Sequence, residues 1–146
     1  MLSDGDHVRN LLGEYCERID AGDFTGVGEL FADGRLATDD GAVLASGTEQ
    51  VAAFYRAATK LHPESPRTKH LVVDTVLDPA SDGSSIVARS SYVVLQAVDE
   101  ALALQPIIAG RYVDTFKRAG DGWRWDERRF AVDLLGDLSH HLAFAL

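Results

Sequence analysis

The first third of the chain has apolar positions at helical spacing. Between residues 8 and 19 they recur every three or four residues, which places one continuous apolar stripe along a helix. Ser3 or Asp4 can cap the start of this helix, and Gly22 offers a cap at its end. Asp23 can then cap a second, shorter helix. The pattern therefore predicts a long helix followed by a short one.

A small hairpin and a third helix are predicted next. Residues 33–45 combine two β-prone stretches with Asp and Gly turn signals, which is typical of two short strands. The following segment has an apolar helical face and must end before Pro63. Ser46, with Glu49 three residues later, fits a capping box at the start of this helix.

The second half of the chain is rich in β-branched and aromatic residues. Two long strands are predicted at residues 68–77 and 85–98, separated by a Pro, Ser, Asp and Gly loop. Residues 107–117 and 123–132 form a hairpin around the Ala-Gly-Asp-Gly turn at 119–122. Helices followed by an antiparallel meander predict an α+β domain with its helices on one face of a curved sheet.

The length, charge and hydrophobic runs of the chain limit the kinds of partner that it can bind. A length of 146 residues suits one domain with a single core. The formal net charge is 14 − 23 = −9, which repels a nucleic-acid backbone. No apolar run approaches the roughly 20 residues that cross a bilayer. We therefore expect a protein that binds neither nucleic acid nor membrane.

The N-terminus and the cysteine content indicate a compartment. The first residues are acidic and lack the basic and apolar regions of a signal peptide, so a cytoplasmic location is expected. Cys16 is the only cysteine, which excludes an intrachain disulfide and a zinc site built on paired thiolates.

His70 is the most suggestive residue for chemistry. If its strand is regular, His70 shares a face with Val72, Asp74 and Val76. A histidine on an apolar face is more often a hydrogen-bonded core residue than a catalyst. A carboxylate partner would change that interpretation, because it fixes the tautomer and leaves the other nitrogen ready to act as a base. The candidate partners are Asp20 and Asp74.

Asp20 occupies an unusual position for an acidic residue. It lies in the last turn of the first helix, where the helix dipole disfavours a negative charge. It is also at the edge of the buried stripe. Either Asp20 is a solvated residue at a fraying helix end, or it is a carboxylate that faces a pocket.

Several other side chains are candidate ligand contacts. Arg128 lies on the same side of its strand as Phe130. It therefore points inward, where it could bind an anionic group or a leaving group, or else it forms an ion pair on the surface. Phenol groups can donate a hydrogen bond to a ligand oxygen. The simpler interpretation is that each ring packs in the core with its hydroxyl exposed to water. The chain has four of them: Tyr15, Tyr55, Tyr92 and Tyr112.

Other chemistries have little support in the sequence. His140 and His141 are adjacent and should point apart, so they make a poor metal pair, and no metal site is predicted. Phosphate-binding glycine loops and nucleophile elbows are absent. The tail at residues 135–146 is apolar and could cover either a pocket or a partner subunit.

The order of elements and several local motifs resemble the SnoaL-like branch of the nuclear-transport-factor-2-like superfamily. The matching segments are residues 15–24, 68–70, 110–114 and 122–124, with Arg128 downstream. The resemblance implies a single domain over residues 1–146, with a core at about 4–134. It also implies a cone-shaped, curved antiparallel or mixed sheet with three helices packed on its concave face.

The same resemblance implies a site. Members such as scytalone dehydratase, bile-acid 7α-dehydratase and hexachlorocyclohexane dehydrochlorinase pair a helix-end Asp with a strand His, and the matching residues here are Asp20 and His70. Arg128 matches an arginine that assists the leaving group. Asp74 replaces an expected asparagine and would add a second negative charge near the pair. No metal or organic cofactor is implied. A homodimer through the exposed sheet face, or a higher homo-oligomer, is expected.

Two functional hypotheses follow. The first is a cofactor-independent lyase or isomerase, similar to a dehydratase, acting on a small apolar cyclic molecule through His70 and Asp20. Arg128, Tyr92 or Tyr112 would then stabilise an oxygen or leaving group. The alternative is a non-catalytic ligand-binding or assembly domain, like the β subunits of ring-hydroxylating dioxygenases in the same superfamily.

Overall fold

Three helices and six strands form the structure in the predicted order. A computed structural model describes all 146 residues. The helices are α1 (Asp4–Asp20), α2 (Phe24–Leu30) and α3 (Gly47–Ala58), and the strands are β1 (Arg35–Thr38), β2 (Val43–Ser46), β3 (Thr68–Pro79), β4 (Ser85–Val98), β5 (Leu102–Ala119) and β6 (Gly122–Leu135). The predicted α+β class is confirmed. None of the helices combines the length and apolar character that crossing a bilayer requires.

The strands form one open, mixed sheet in the order β2-β1-β6-β5-β4-β3. The predicted hairpin of β5 and β6 is antiparallel and lies at the centre of the sheet. Strand β1 pairs with β6 in parallel, with Leu36 opposite Arg128. Helix α1 contacts both β3 and β6, so its buried side reaches across the sheet. This arrangement brings the end of α1 next to the start of β3.

Helix α1 has the local signals that its sequence predicts. Ser3 Oγ accepts a 3.1 Å hydrogen bond from the backbone N–H of Asp6, while the Asp6 carboxylate accepts from the backbone N–H of Ser3. This reciprocal capping box fixes the first turn. Gly22 follows the helix with φ of +74°, a left-handed conformation that glycine adopts without strain. The buried residues of the helix are Val8, Leu12, Tyr15 and Ile19.

The predicted capping box at the start of α3 is wrong. The side chain of Ser46 makes no capping hydrogen bond. Its backbone N–H instead donates to Oε1 of Gln50, at 2.9 Å. Gly47 has φ of +78°, so the chain turns sharply into the helix. Because the glutamine one residue after Glu49 supplies the contact, the expected Ser46–Glu49 pair never forms.

A bulge in β3 overturns the expected placement of Asp74. Pairing with β4 skips between Val73 and Val76, and Asp74 has a left-handed φ of +54°. The extra residue shifts the alternation of side chains by one position. His70 therefore points inward, whereas Asp74 and Val76 are exposed. The expectations that Asp74 shares the face of His70 and serves as its partner are both wrong.

Arg128 and Asp114 form a buried ion pair between β5 and β6. Both side chains are inaccessible to solvent, and Arg128 Nε lies 2.7 Å from Asp114 Oδ1. Trp125 Nε1 donates to the same oxygen at 3.0 Å. Burial alone would lower the pKa of Arg128, but the charge of Asp114 outweighs it and raises that pKa. The guanidinium is therefore charged inside the core, and the predicted alternative of a surface ion pair is wrong.

Asp114→Asn should destabilise the protein by about 3–5 kcal/mol, because it leaves the buried guanidinium without a counter-charge. Urea denaturation at pH 7 measures the free energy of unfolding. The substitution keeps the shape of the side chain, so a cavity does not contribute to the loss.

Asp133→Asn is the matched control on the same pair of strands. Asp133 pairs with Arg111 at 3.0 Å, but both side chains are about half exposed. Its substitution should change the free energy of unfolding by less than about 1 kcal/mol. Equal losses in the two variants would show that the buried pair contributes no more than the exposed one.

Candidate active site

An apolar cavity of about 140 Å³ lies between the helices, the sheet and the C-terminal tail, defined here as residues 136–146. A dry cavity of about 150 Å³ is large enough for benzene. The space here thus suits one small ring. Its walls are formed by Tyr15, Ile19, Phe54, Tyr55, Ala58, Thr59, His70, Tyr92, Val94, Ile108, Tyr112, Phe130, Val132, His141, Leu142, Phe144 and Leu146.

Asp20 and His70 meet at the edge of this cavity. His70 Nδ1 lies 2.6 Å from Asp20 Oδ1, and the backbone N–H of His70 donates to Asp20 Oδ2 at 2.9 Å. Thr68 Oγ1 adds a third hydrogen bond, to Asp20 Oδ1. The carboxylate thus accepts three hydrogen bonds from the first residues of β3. His70 lines the cavity, and Asp20 lies behind it.

The environment of Asp20 keeps this carboxyl group ionised. Partial burial tends to raise its pKa, but the hydrogen bonds from His70 and Thr68 outweigh burial and hold the pKa below its usual value. An ionised Asp20 can only accept from Nδ1–H of His70. In a neutral His70, Nε2 then carries the lone pair, which is the form that a general base requires.

All four tyrosines named in the sequence line the cavity. The hydroxyls of Tyr15 and Tyr55 lie 3.2 Å apart, so one of their two protons remains for a ligand. Tyr92 donates its proton to the backbone oxygen of Ala131, at 3.1 Å. Burial raises the pKa of Tyr92 to about 12, and it also raises the pKa of Tyr112. These phenols are therefore neutral at physiological pH and serve as hydrogen-bond donors.

Arg128 lies beneath the cavity and does not line it. Its guanidinium carbon is 3.6 Å from the ring centre of Tyr112 and 4.3 Å from that of Tyr15. The expectation that Arg128 contacts an anionic or leaving group directly is wrong, because two aromatic rings and Asp114 surround it. Sequence reasoning missed Asp114, although its alternation with Tyr112 and Phe116 marked it as inward-facing.

The tail adds a second imidazole that the sequence did not single out. His141 lines the cavity, and its ring centre lies 6.2 Å from that of His70. His140 instead lies near His62, with ring centres 6.3 Å apart, so the two tail histidines do point apart. Burial lowers the pKa of His141 to about 4, which leaves its ring neutral at pH 7.

Two further features bear on thiol chemistry and on metal binding. A more open groove of about 300 Å³ between α1 and β3 reaches the other side of His70 and contains Cys16. Burial raises the pKa of the Cys16 thiol to about 11, so it is not a thiolate nucleophile at neutral pH. No three His, Cys, Asp or Glu side chains cluster in a way that would hold a metal ion.

Comparison with known proteins assigns a family to residues 1–129, which match the model of the SnoaL-like domain. No curated protein matches the chain. Among solved structures, Rv3472, a protein of unknown function from Mycobacterium tuberculosis, has 25% sequence identity and a TM-score of 0.70, with 88% of this chain and 71% of that chain covered.

Two other structures are similar at comparable identity. ActVI-ORFA from Streptomyces coelicolor has 23% identity and a TM-score of 0.70 over 87% of this chain and 95% of that chain. An NTF2-like protein with a cystatin-like fold from Novosphingobium aromaticivorans has 24% identity and a TM-score of 0.69, covering 88% and 81%. These likenesses confirm the predicted fold.

Asp20→Asn should lower the free energy of unfolding at pH 7 by about 1.5–3 kcal/mol, the range for hydrogen bonds to a charged group. Because the pKa of Asp20 is lowered on folding, its stabilisation is complete above the unfolded value of about 3.9 and is lost as the pH falls through the folded value. The difference between wild type and variant should therefore shrink below about pH 4. Urea denaturation across this range measures it.

Asp78→Asn provides the control, since Asp78 of β3 pairs with Arg89 of β4 at 3.0 Å, at an exposed position. Its effect should stay under about 1 kcal/mol. A penalty for Asp20→Asn that is the same at pH 7 and pH 3 would contradict the ionised carboxylate.

Proposed function

We propose that this chain, which belongs to the SnoaL-like domain family, is a cofactor-independent lyase or isomerase, similar to a dehydratase, that acts on a small apolar cyclic molecule. The observation that carries the proposal is the His70 imidazole, which lines an apolar cavity while Asp20 holds its Nδ1 atom at 2.6 Å. A fixed tautomer in a mostly apolar space is the arrangement that general-base catalysis requires.

His70 would take a proton from a ligand carbon next to a carbonyl group. The C–H bond breaks, the proton goes to Nε2, and the electron pair forms the double bond of an enolate. The ionised Asp20 stabilises the imidazolium that results. General-base catalysis of this kind contributes about 10²- to 10⁴-fold to the rate.

The same intermediate leads to either reaction. In a lyase, the electron pair expels a hydroxyl group from the next carbon, and that group takes the proton from His70 to leave as water. In an isomerase, the ligand carries a C=C bond next to the carbon that loses its proton, so the intermediate is a dienolate. The proton then returns from His70 to the far carbon of that double bond. Neither route needs an oxidant or a reductant, because no electrons leave the ligand.

The neighbouring aromatic residues would stabilise the oxygen that gains charge. Tyr112 lines the cavity, and its hydroxyl proton is available to a ligand. The hydroxyl of Tyr92 instead donates its proton to the backbone oxygen of Ala131. Arg128 lies against the face of the Tyr112 ring, so we assign it an indirect role. Its positive charge makes the Tyr112 hydroxyl a stronger donor without touching the ligand.

A second candidate function is a non-catalytic binding or assembly domain. The observation that favours it is a set of exposed apolar side chains on the sheet, with Leu134 and Leu135 more than half accessible. Exposed apolar patches often mark partner surfaces. A homodimer through the sheet would cover such residues, and gel filtration at micromolar concentration would detect it.

His70→Gln should abolish turnover of 3-hydroxycyclohexanone, a single-ring ketone of suitable size. The wild-type protein should accelerate loss of water to form 2-cyclohexenone, measured by ultraviolet absorbance, and exchange of the C2 proton in D₂O, measured by NMR. The variant should lose at least about 10²-fold in both rates, because it lacks the base that Asp20 orients.

His7→Gln is a matched control, since His7 lies in the first turn of α1, away from the cavity. It should react at the wild-type rate. Full activity in His70→Gln would exclude the assigned base. Binding of the ketone to wild type without exchange or dehydration would favour the non-catalytic alternative.

A further inference from the structure

The C-terminal tail holds His141 in a defined position over the cavity. The backbone oxygen of His141 accepts a 2.8 Å hydrogen bond from Lys60, and the backbone N–H of Ala143 donates to Ala58 at 2.9 Å. Leu142 forms a β-bridge with Thr59 between these two contacts. The tail is thus tied to the end of α3 on both sides of Leu142, and the His141 ring is directed at the cavity by backbone geometry.

The ring nitrogen Nδ1 of His141 is buried without a partner. His141 is only 8% exposed, and no protein group forms a hydrogen bond with Nδ1. Leaving a buried polar atom unpaired is unfavourable, so such atoms in native proteins usually have a partner or a functional reason. Nδ1 is closed to solvent, so the nitrogen of this cavity-lining ring that a molecule can reach is Nε2, which also forms no hydrogen bond with the protein.

The other polar groups on the cavity wall are largely committed. Nδ1 of His70 is bound by Asp20, and the hydroxyl proton of Tyr92 is donated to the backbone. The hydroxyls of Tyr15 and Tyr55 bond each other. The His141 ring, like the Tyr112 hydroxyl, has no hydrogen-bond partner in the protein, and its centre lies 6.2 Å from that of the His70 ring. A neutral imidazole offers one donor and one acceptor, so it suits either a carbonyl or a hydroxyl.

We propose that His141 binds an oxygen substituent on the ring of the ligand, and that the site is complete only when the tail is in place. The ligand class is a single-ring molecule that carries at least one hydroxyl or carbonyl oxygen. This inference deepens the proposed function and rests on the same cavity. One such oxygen would lie at His141, and the carbon that loses its proton would face His70.

Binding of phenol and toluene separates this inference from catalysis, because the two probes have similar size and only phenol has an oxygen. Isothermal titration should show that His141→Leu weakens phenol binding by about 3- to 10-fold, the loss expected for one hydrogen bond. Toluene binding should be unchanged or stronger. His141→Gln, whose amide lies near the place of Nε2, should retain the preference for phenol.

His140→Leu is the matched control in the same segment, since the His140 ring lies outside the cavity. It should leave the binding of both probes unchanged. ¹⁵N NMR of the wild-type protein gives a second measurement that needs no variant. Phenol should shift the ring nitrogens of His141, and toluene should not.

Three results would overturn the inference. The first is a ratio of phenol to toluene affinity that His141→Leu leaves unchanged. The second is a His141 resonance that phenol does not move at saturation. The third is binding of neither probe, which would mean that the cavity admits no single-ring ligand. None of these depends on turnover, so a failure of the proposed catalysis, with His70 inactive, remains distinguishable.

Discussion

The hydrogen bonds that converge on the Asp20 carboxylate organise this molecule. They join the last residue of α1 to the first residues of β3, which are far apart in the sequence. A negative charge at a helix C-terminus is unfavourable by itself. Here the backbone of His70 and the side chain of Thr68 offset that cost, and the same contacts orient the His70 ring. One carboxylate therefore sets both the packing of α1 on the sheet and the tautomer of the imidazole.

Two carboxylates in this fold pair with different basic side chains and have different roles. Asp114 neutralises Arg128 in a fully sealed position, surrounded by Trp125 and Tyr112. Asp20 lies at the edge of the cavity, where its partner imidazole is accessible to a ligand. A guanidinium stays charged at any physiological pH, whereas an imidazole can gain and lose a proton. The buried pair of Asp114 and Arg128 thus stabilises the fold, whereas the accessible pair of Asp20 and His70 is suited to proton transfer.

Local periodicity made the helices and the central hairpin predictable, because burial repeats at fixed intervals within each element. Asp74 shows where that argument stops, since one inserted residue in β3 reverses the alternation and leaves no mark in the hydrophobic pattern. Asp114 was missed because a charged residue in a strand is usually exposed, although its parity with Phe116 pointed inward. The residues alone leave Asp20 and Asp74 as alternative partners of His70, and the family resemblance selects Asp20, since the bond joins segments that no local pattern connects.

The tail covers the cavity against water and also supplies part of the cavity wall. An apolar cover strengthens the electrostatic interaction between Asp20 and His70, because the effective dielectric constant falls when water is excluded. The cover is held by hydrogen bonds to Ile107 of β5, to Gln96 of β4 and to residues 58–62. Since this same segment carries His141, the contacts that hold the tail on the fold also fix the second imidazole at the cavity wall.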